Sequence, residues 1–279
     1  MKIKRILAPT DFSALAARSL EYAAELARRT GAELVVLYAD PFLPPPHFTS
    51  EQIDGLVATL EQHRTAAAAE LERHAAKRVG EGVSYRTLVV EDTPAAAILH
   101  TAEEIDADVI VMGTHGRSGF NRFLLGSVAE RVLHETKRPL LTVRDTAPRA
   151  SEAPARPRVV CPVNFTDAAR AALDVAAAMA RLLDAELVVL HVVEDDSEAS
   201  REITAKIQSW LPPESGAASD VLVLEGNAAQ KVIEYAKTHA ADLIVLGATA
   251  RRLGDTSVLG TTAVRVTRHA PIPVMTVVA

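Results

Sequence analysis

Cysteine is nearly missing from this chain: one residue, Cys161, among 279. A single thiol excludes an internal disulfide framework. Its setting in VVCPV (159–163) reads as a buried, inert thiol. A basic excess is missing too. The net charge is −6 and no basic stripe appears, which argues against a nucleic-acid partner. No apolar run approaches the ~18 residues of a membrane span. The opening MKIKRILAPTDF has too short an apolar core for a signal peptide. The expectation is a cytoplasmic chain without a membrane partner. The Gly-Lys-Ser/Thr phosphate loop and the tight Gly-x-Gly-x-x-Gly fingerprint are both absent.

What is present is said twice. AELVVL occurs at 32–37 and, unchanged, at 185–190, an offset of 153. ILAPTDFS (6–13) lies over VVCPVNFT (159–166) at the same offset. DADVIVMGT (106–114) matches AADLIVLGA (240–248), and RPLLTV (138–143) matches IPVMTV (272–277), now at offset 134. Two copies of one domain follow, at 1–147 and 158–279, the second 19 residues shorter in its middle. The Pro- and Ala-rich stretch 148–157 reads as the linker.

Each copy alternates apolar strands with amphipathic helices. The first reads as strands near 4–9, 33–39, 84–90, 108–113 and 139–144. Helices fall between them at 13–31, 50–80, 93–105 and 126–136, with 50–80 either one long helix or a broken one. Ser13 and Thr93 are the expected N-caps, and Gly31 the expected stop. Short continuous apolar strands separated by helices specify an α/β fold. Each copy is then a doubly wound, Rossmann-like, mostly parallel five-stranded sheet with helices on both faces. Ligands of such sheets sit at the carboxyl ends of strands, where the strand order reverses.

Two strand ends carry unusual residues: PTD (9–11) and GTHGRSGFNRFLLGS (113–127). The second reads Gly-x2-Gly-x9-Gly-Ser and runs into a helix. Free N–H groups and the positive dipole end at such a helix start suit phosphate. From spacing alone, Gly113 and Gly116 serve either a ligand lying on bare backbone or a tight turn, and Gly126–Ser127 either a phosphate or a cap.

Together, strand–PTDFS–helix and Gly-x2-Gly-x9-Gly-Ser after the fourth strand resemble the universal stress protein (UspA-like) family, in its tandem form, over essentially the whole chain. The resemblance implies strand order 3-2-1-4-5 and a stress-response role through bound ATP, with Mg or Mn as companion ion. Pro9, Thr10 and Asp11 would then line the nucleoside end, with Ala39 beside the base. Met112, Gly113, Gly116, Gly126, Ser127 and Val128 would line the ribose and phosphates. It also implies an intramolecular pseudo-dimer of the copies through their fifth strands, and homodimers of chains remain open.

The second copy departs from the motif. Asn164 stands for Asp11, Ala250 for Gly116, and Gly260–Thr261 for Gly126–Ser127, while Gly247 keeps the place of Gly113. His115 reads as a solvated loop histidine, and Arg117 and Arg122 as either phosphate partners or exposed loop residues. The histidines show no metal spacing, and no nucleophile elbow appears. No dedicated enzyme is expected; slow ATP hydrolysis or autophosphorylation stays open. The competing readings are an interaction protein of the same fold without nucleotide, and an ATP-dependent ligase using His115 and Asp11.

Overall fold

The computed structural model describes residues 2–41, 50–116, 125–147, 157–193, 200–212, 219–253 and 256–278. The linker expected at 148–157 lies, apart from Pro157, outside them. The first copy runs β1 (Arg5–Pro9), α1 (Ala14–Thr30), β2 (Glu33–Ala39), α2 (Ser50–Val79), β3 (Tyr85–Val90), α3 (Pro94–Glu104), β4 (Val109–Gly113), α4 (Ser127–Glu135) and β5 (Leu140–Val143). The stretch expected to be one helix or two is a single helix, α2. The second copy runs β6 (Arg158–Pro162), α5 (Asp167–Leu183), β7 (Glu186–Val193), α6 (Ser200–Trp210), β8 (Ser219–Glu225), α7 (Ala228–Thr238) and β9 (Leu243–Ala248). It ends in β10 (Ala250–Leu253), β11 (Thr256–Leu259), α8 (Thr261–His269) and β12 (Val274–Val278).

Local chemistry explains several of these boundaries. The Ser13 hydroxyl accepts from the Ala16 N–H and starts α1, and Gly31 stops it in the left-handed conformation at φ 68°. Thr166 and Asn227 cap α5 and α7 in the same way. Thr93 occupies the N-cap of α3, as expected, but its side chain makes no capping hydrogen bond; Pro94 starts the helix.

Ten strands form one sheet in the order β3-β2-β1-β4-β5-β12-β9-β6-β7-β8. Each half therefore keeps the order 3-2-1-4-5, reversing between its first and fourth strands. The halves meet where β5 and β12 pair antiparallel, with Leu141 opposite Met275. The Thr142 hydroxyl adds a hydrogen bond to the Val274 carbonyl at 3.1 Å. The hairpin of β10 and β11 is an addition that the sequence reading did not anticipate.

Strand residues alternate between two apolar layers. Ile6, Val36, Val111 and Leu141 face α1, α2, α5 and α6, while Leu7, Val35, Ile110 and Leu140 face the other four helices. Both layers contain residues of both copies, so each core runs across the seam. Cys161 is fully buried, and desolvation pushes its thiol pKa well above the ordinary range, which fits the inert thiol expected. Among the described residues no helix is long and apolar enough to cross a membrane.

The seam generates a test. Leu140–Val143 are all buried in the whole chain. Expression of residues 1–147 alone leaves β5 as a bare apolar edge, which favours pairing with a second β5. Sedimentation is expected to show a homodimer; a stable monomer would contradict the account of the seam.

Candidate functional site

Three strands of the first copy end together at one place. Pro9, Ala39 and Gly113 are the last residues of β1, β2 and β4. A cavity of about 340 Å³ opens there, at the point where the strand order reverses. Its volume falls in the range of small-molecule sites, roughly 300–1,000 Å³. All ten residues singled out in the sequence line it: Pro9, Thr10, Asp11 and Ala39 at the ends of β1 and β2, and Met112, Gly113, Gly116, Gly126, Ser127 and Val128 between the end of β4 and the start of α4.

The β1–α1 turn is tightly held. Phe12 adopts φ 64°, a left-handed conformation that costs a bulky residue about 1–2 kcal/mol. Its ring lies 4.7 Å from the Tyr38 ring and 5.3 Å from His74, which keeps the turn in place. The Thr10 hydroxyl oxygen accepts from the Phe12 N–H at 3.1 Å and lies 3.3 Å from His74 Nε2. Burial, then the nearby Arg78 charge, holds His74 below its ordinary pKa. Asp11 Oδ1 accepts from the Ser13 N–H at 3.0 Å, so the carboxylate is oriented before any ligand arrives.

The two described ends of the glycine loop meet. The Gly126 N–H donates to the Thr114 carbonyl at 2.7 Å. A Cβ on Gly126 would lie 3.1 Å from that same oxygen. A Cβ on Gly116 would lie 2.8 Å from Asp11 Oδ2, and one on Gly113 2.9 Å from Leu15 Cγ. None of the three has a positive φ, so these positions need glycine for room rather than for left-handed backbone. Gly113 makes room for α1, Gly126 for the Thr114 carbonyl, and Gly116 for Asp11.

The first turn of α4 has no side-chain cap, so its N–H groups at Ser127, Val128 and Ala129 stand at the cavity wall without one. The lining also carries apolar side chains: Leu37, Pro94, Ile98 and Met112. Pro94 and Ile98 escaped the sequence reading because α3 carries no motif; their only signal was a helix start after β3, on the same carboxyl edge. His115, expected to be solvated, is half-buried in the wall: its Nδ1 lies 2.9 Å from the buried Thr114 hydroxyl, and its Nε2 is shielded from solvent. Arg117 and Arg122 lie outside the described residues. No described lining residue is Lys or Arg.

The second copy is built differently at the matching place. Phe165 repeats the left-handed turn at φ 59°. Asn164, however, is tied to the Thr166 hydroxyl at 2.7 Å. Ala250 lies in β10, so a strand replaces the glycine turn. A Cβ on Gly247 would lie 2.3 Å from the Ala168 carbonyl oxygen, whereas one on Gly260 would meet nothing within 4 Å. The first turn of α5 thus lies directly on the end of β9 as backbone, and Gly260 is not folded under a loop.

A doubly wound sheet built twice over, with a cavity at a switch point, defines a tandem Rossmann-like protein. The sequence model of the universal stress protein family matches residues 2–144 and again 156–278. The chain belongs to the universal stress protein family and carries two of its domains in tandem. It is similar to a universal stress protein of Synechocystis sp., 23% identical over 98% of this chain and 99% of that one. One half of the chain is similar to a universal stress protein of Methanocaldococcus jannaschii, 34% identical over 50% of this chain and 82% of that one. A solved universal stress protein structure from Archaeoglobus fulgidus has the same fold, with a TM-score of 0.74 at 24% identity over 99% of both chains.

The glycines give a stability prediction. Gly247→Ala forces a methyl against a backbone carbonyl and is expected to cost about 2–3 kcal/mol, the scale of overpacking. Gly260→Ala is expected to change stability by only a few tenths of a kcal/mol. Urea unfolding of the two variants decides this; equal effects would contradict the different packing of these two turns.

Proposed function

We propose that the first copy binds an adenine nucleotide, with ATP as the favoured form, and that the protein acts in a cytoplasmic stress response by changing its partners with nucleotide state. The observation that carries this reading is the mixed lining of the cavity. Its apolar side chains suit a base, and the backbone N–H groups at an uncapped helix start suit phosphates. Ala39 and Leu37 stand at the base end, Thr10 and Asp11 beside the ribose, and the loop from Gly113 to Gly116 with Gly126, Ser127 and Val128 at the phosphates.

Among the described residues no cluster of three His, Cys, Asp or Glu side chains can hold a metal by itself. A Mg or Mn ion would arrive with the phosphates, with Asp11, whose Oδ2 faces Gly116, as a carboxylate beside it. The two domains, residues 1–147 and 158–279, work as a pseudo-two-fold pair with residues 148–157 as linker. The second copy serves as a structural half.

A second reading rests on the glycines, each of which has a packing reason of its own. On that reading the protein is an interaction module of the same fold without nucleotide. Adenine absorbance released from the purified chain separates the two.

Occupancy is expected to be one nucleotide per chain. Losing the Asp11 carboxylate at Asn164 costs a charge-assisted contact, about 1.5–3 kcal/mol, or tenfold to a hundredfold in affinity. The α5 backbone over Gly247 adds a block that no single side chain removes, so Ala250→Gly with Asn164→Asp is expected not to create a second site. Gly116→Val is expected to abolish binding while the chain stays folded, because the new side chain displaces Asp11. Titration calorimetry on nucleotide-free protein measures both. A stoichiometry near two with equal affinities, or undiminished ATP binding by folded Gly116→Val, contradicts the reading.

A further inference from the structure

We propose that Arg268, a second-copy residue, sets the electrostatics of the first-copy phosphate end by neutralising Glu130. This rests on the nucleotide reading above. Helix α4 begins at the cavity, and Ser127, Val128 and Ala129 line it. The next residue, Glu130, still belongs to the first turn. A carboxylate there shares the positive helix end with any phosphate and repels it. Asp11 is already a negative group in the cavity wall, and no described lining residue is Lys or Arg. Left alone, the Glu130 charge would oppose a phosphate at this helix end.

Arg268, in the last turn of α8, cancels that charge. Its Nη2 lies 2.5 Å from Glu130 Oε1, with the side chains 31% and 39% exposed. Partial burial keeps such a pair from being fully screened by solvent and salt. The Arg268 Nε is itself buried, so part of the guanidinium is withdrawn from solvent. Strand β11 lies against α4 as well, so the second copy touches this helix through two elements.

The pair runs one way. At the repeat offset of 134, Val264 stands for Glu130 and His134 for Arg268. The second copy supplies a cation to the first, and Val264 leaves no carboxylate at the matching place in its own helix. That asymmetry matches the asymmetry of the two sites, and it gives the degenerate copy a task in the intact one.

The test uses the full chain with Arg268→Gln, Glu130→Gln and the double substitution, titrated with ATP, ADP and adenosine. Arg268→Gln is expected to weaken ATP roughly fivefold to tenfold, the scale of charge terms at a partly buried helix end. ADP should weaken less and adenosine not at all. Glu130→Gln alone should bind ATP at least as tightly as the parent, which keeps the test open if Arg268→Gln folds poorly. The double substitution should return to the Glu130→Gln affinity. A merely structural role would instead lower thermal stability and weaken all three ligands alike. ATP affinity unchanged by Arg268→Gln, equal weakening of adenosine, or no rescue by Glu130→Gln overturns this inference alone. A parent chain that binds none of the three ligands overturns the nucleotide reading, and this inference with it.

Discussion

Two strands meeting antiparallel, β5 and β12, set the terms for everything else in the molecule. All other pairings in the ten-stranded sheet are parallel. A parallel half-sheet ends in an open edge, and an apolar edge strand is a standing invitation to pair. Here each half closes the edge of the other. The same contact makes both apolar layers continuous and brings α8 and the β10–β11 hairpin of one copy against α4 of the other. The second copy thus touches α4, the helix whose first turn lines the cavity.

The cavity follows from the sheet order and from space made by glycine. Strand order reverses between β1 and β4, so the helices after them diverge and leave a gap at the strand ends. In the first copy the gap survives: Gly126 closes against the Thr114 carbonyl, and Gly116 lies beside Asp11. In the second copy the α5 backbone lies on Gly247 and the loop has become a hairpin. Two copies with one plan thus reach two outcomes through a few positions. The contrast between Leu15 and Ala168 at equivalent places is instructive: a side chain separates α1 from Gly113, where bare carbonyl backbone meets Gly247.

Much of the fold was legible in the sequence. Strand β2 was read at its observed bounds because a continuous apolar run between Gly31 and a proline-rich loop admits few alternatives. Ser13 and Gly31 marked both ends of α1 by side-chain chemistry alone. The hairpin was missed although Gly254–Asp255 is a turn signal between its strands; the repeat alignment made those residues look like a worn glycine loop. The cavity residues on strand ends were found because they sit in a motif. Those on α3 were not, since Pro94 and Ile98 meet the site only through the fold. His115 was misjudged because nothing local says that a buried Thr114 hydroxyl will hold its ring. The Glu130–Arg268 pair spans 138 residues, and no local pattern announces it.

The central claim is that one adenine nucleotide sits in the first-copy cavity, base toward the apolar side chains of its lining. Photolabelling the intact chain with an azido-substituted ATP, then mapping the modified peptides by mass spectrometry, tests that placement directly. The account predicts label on peptides carrying Tyr38–Ala39 or Pro94–Ile98, competed away by unlabelled ATP. Label on the second-copy equivalents around His191 and Ala228, or label that ATP does not displace, would contradict it.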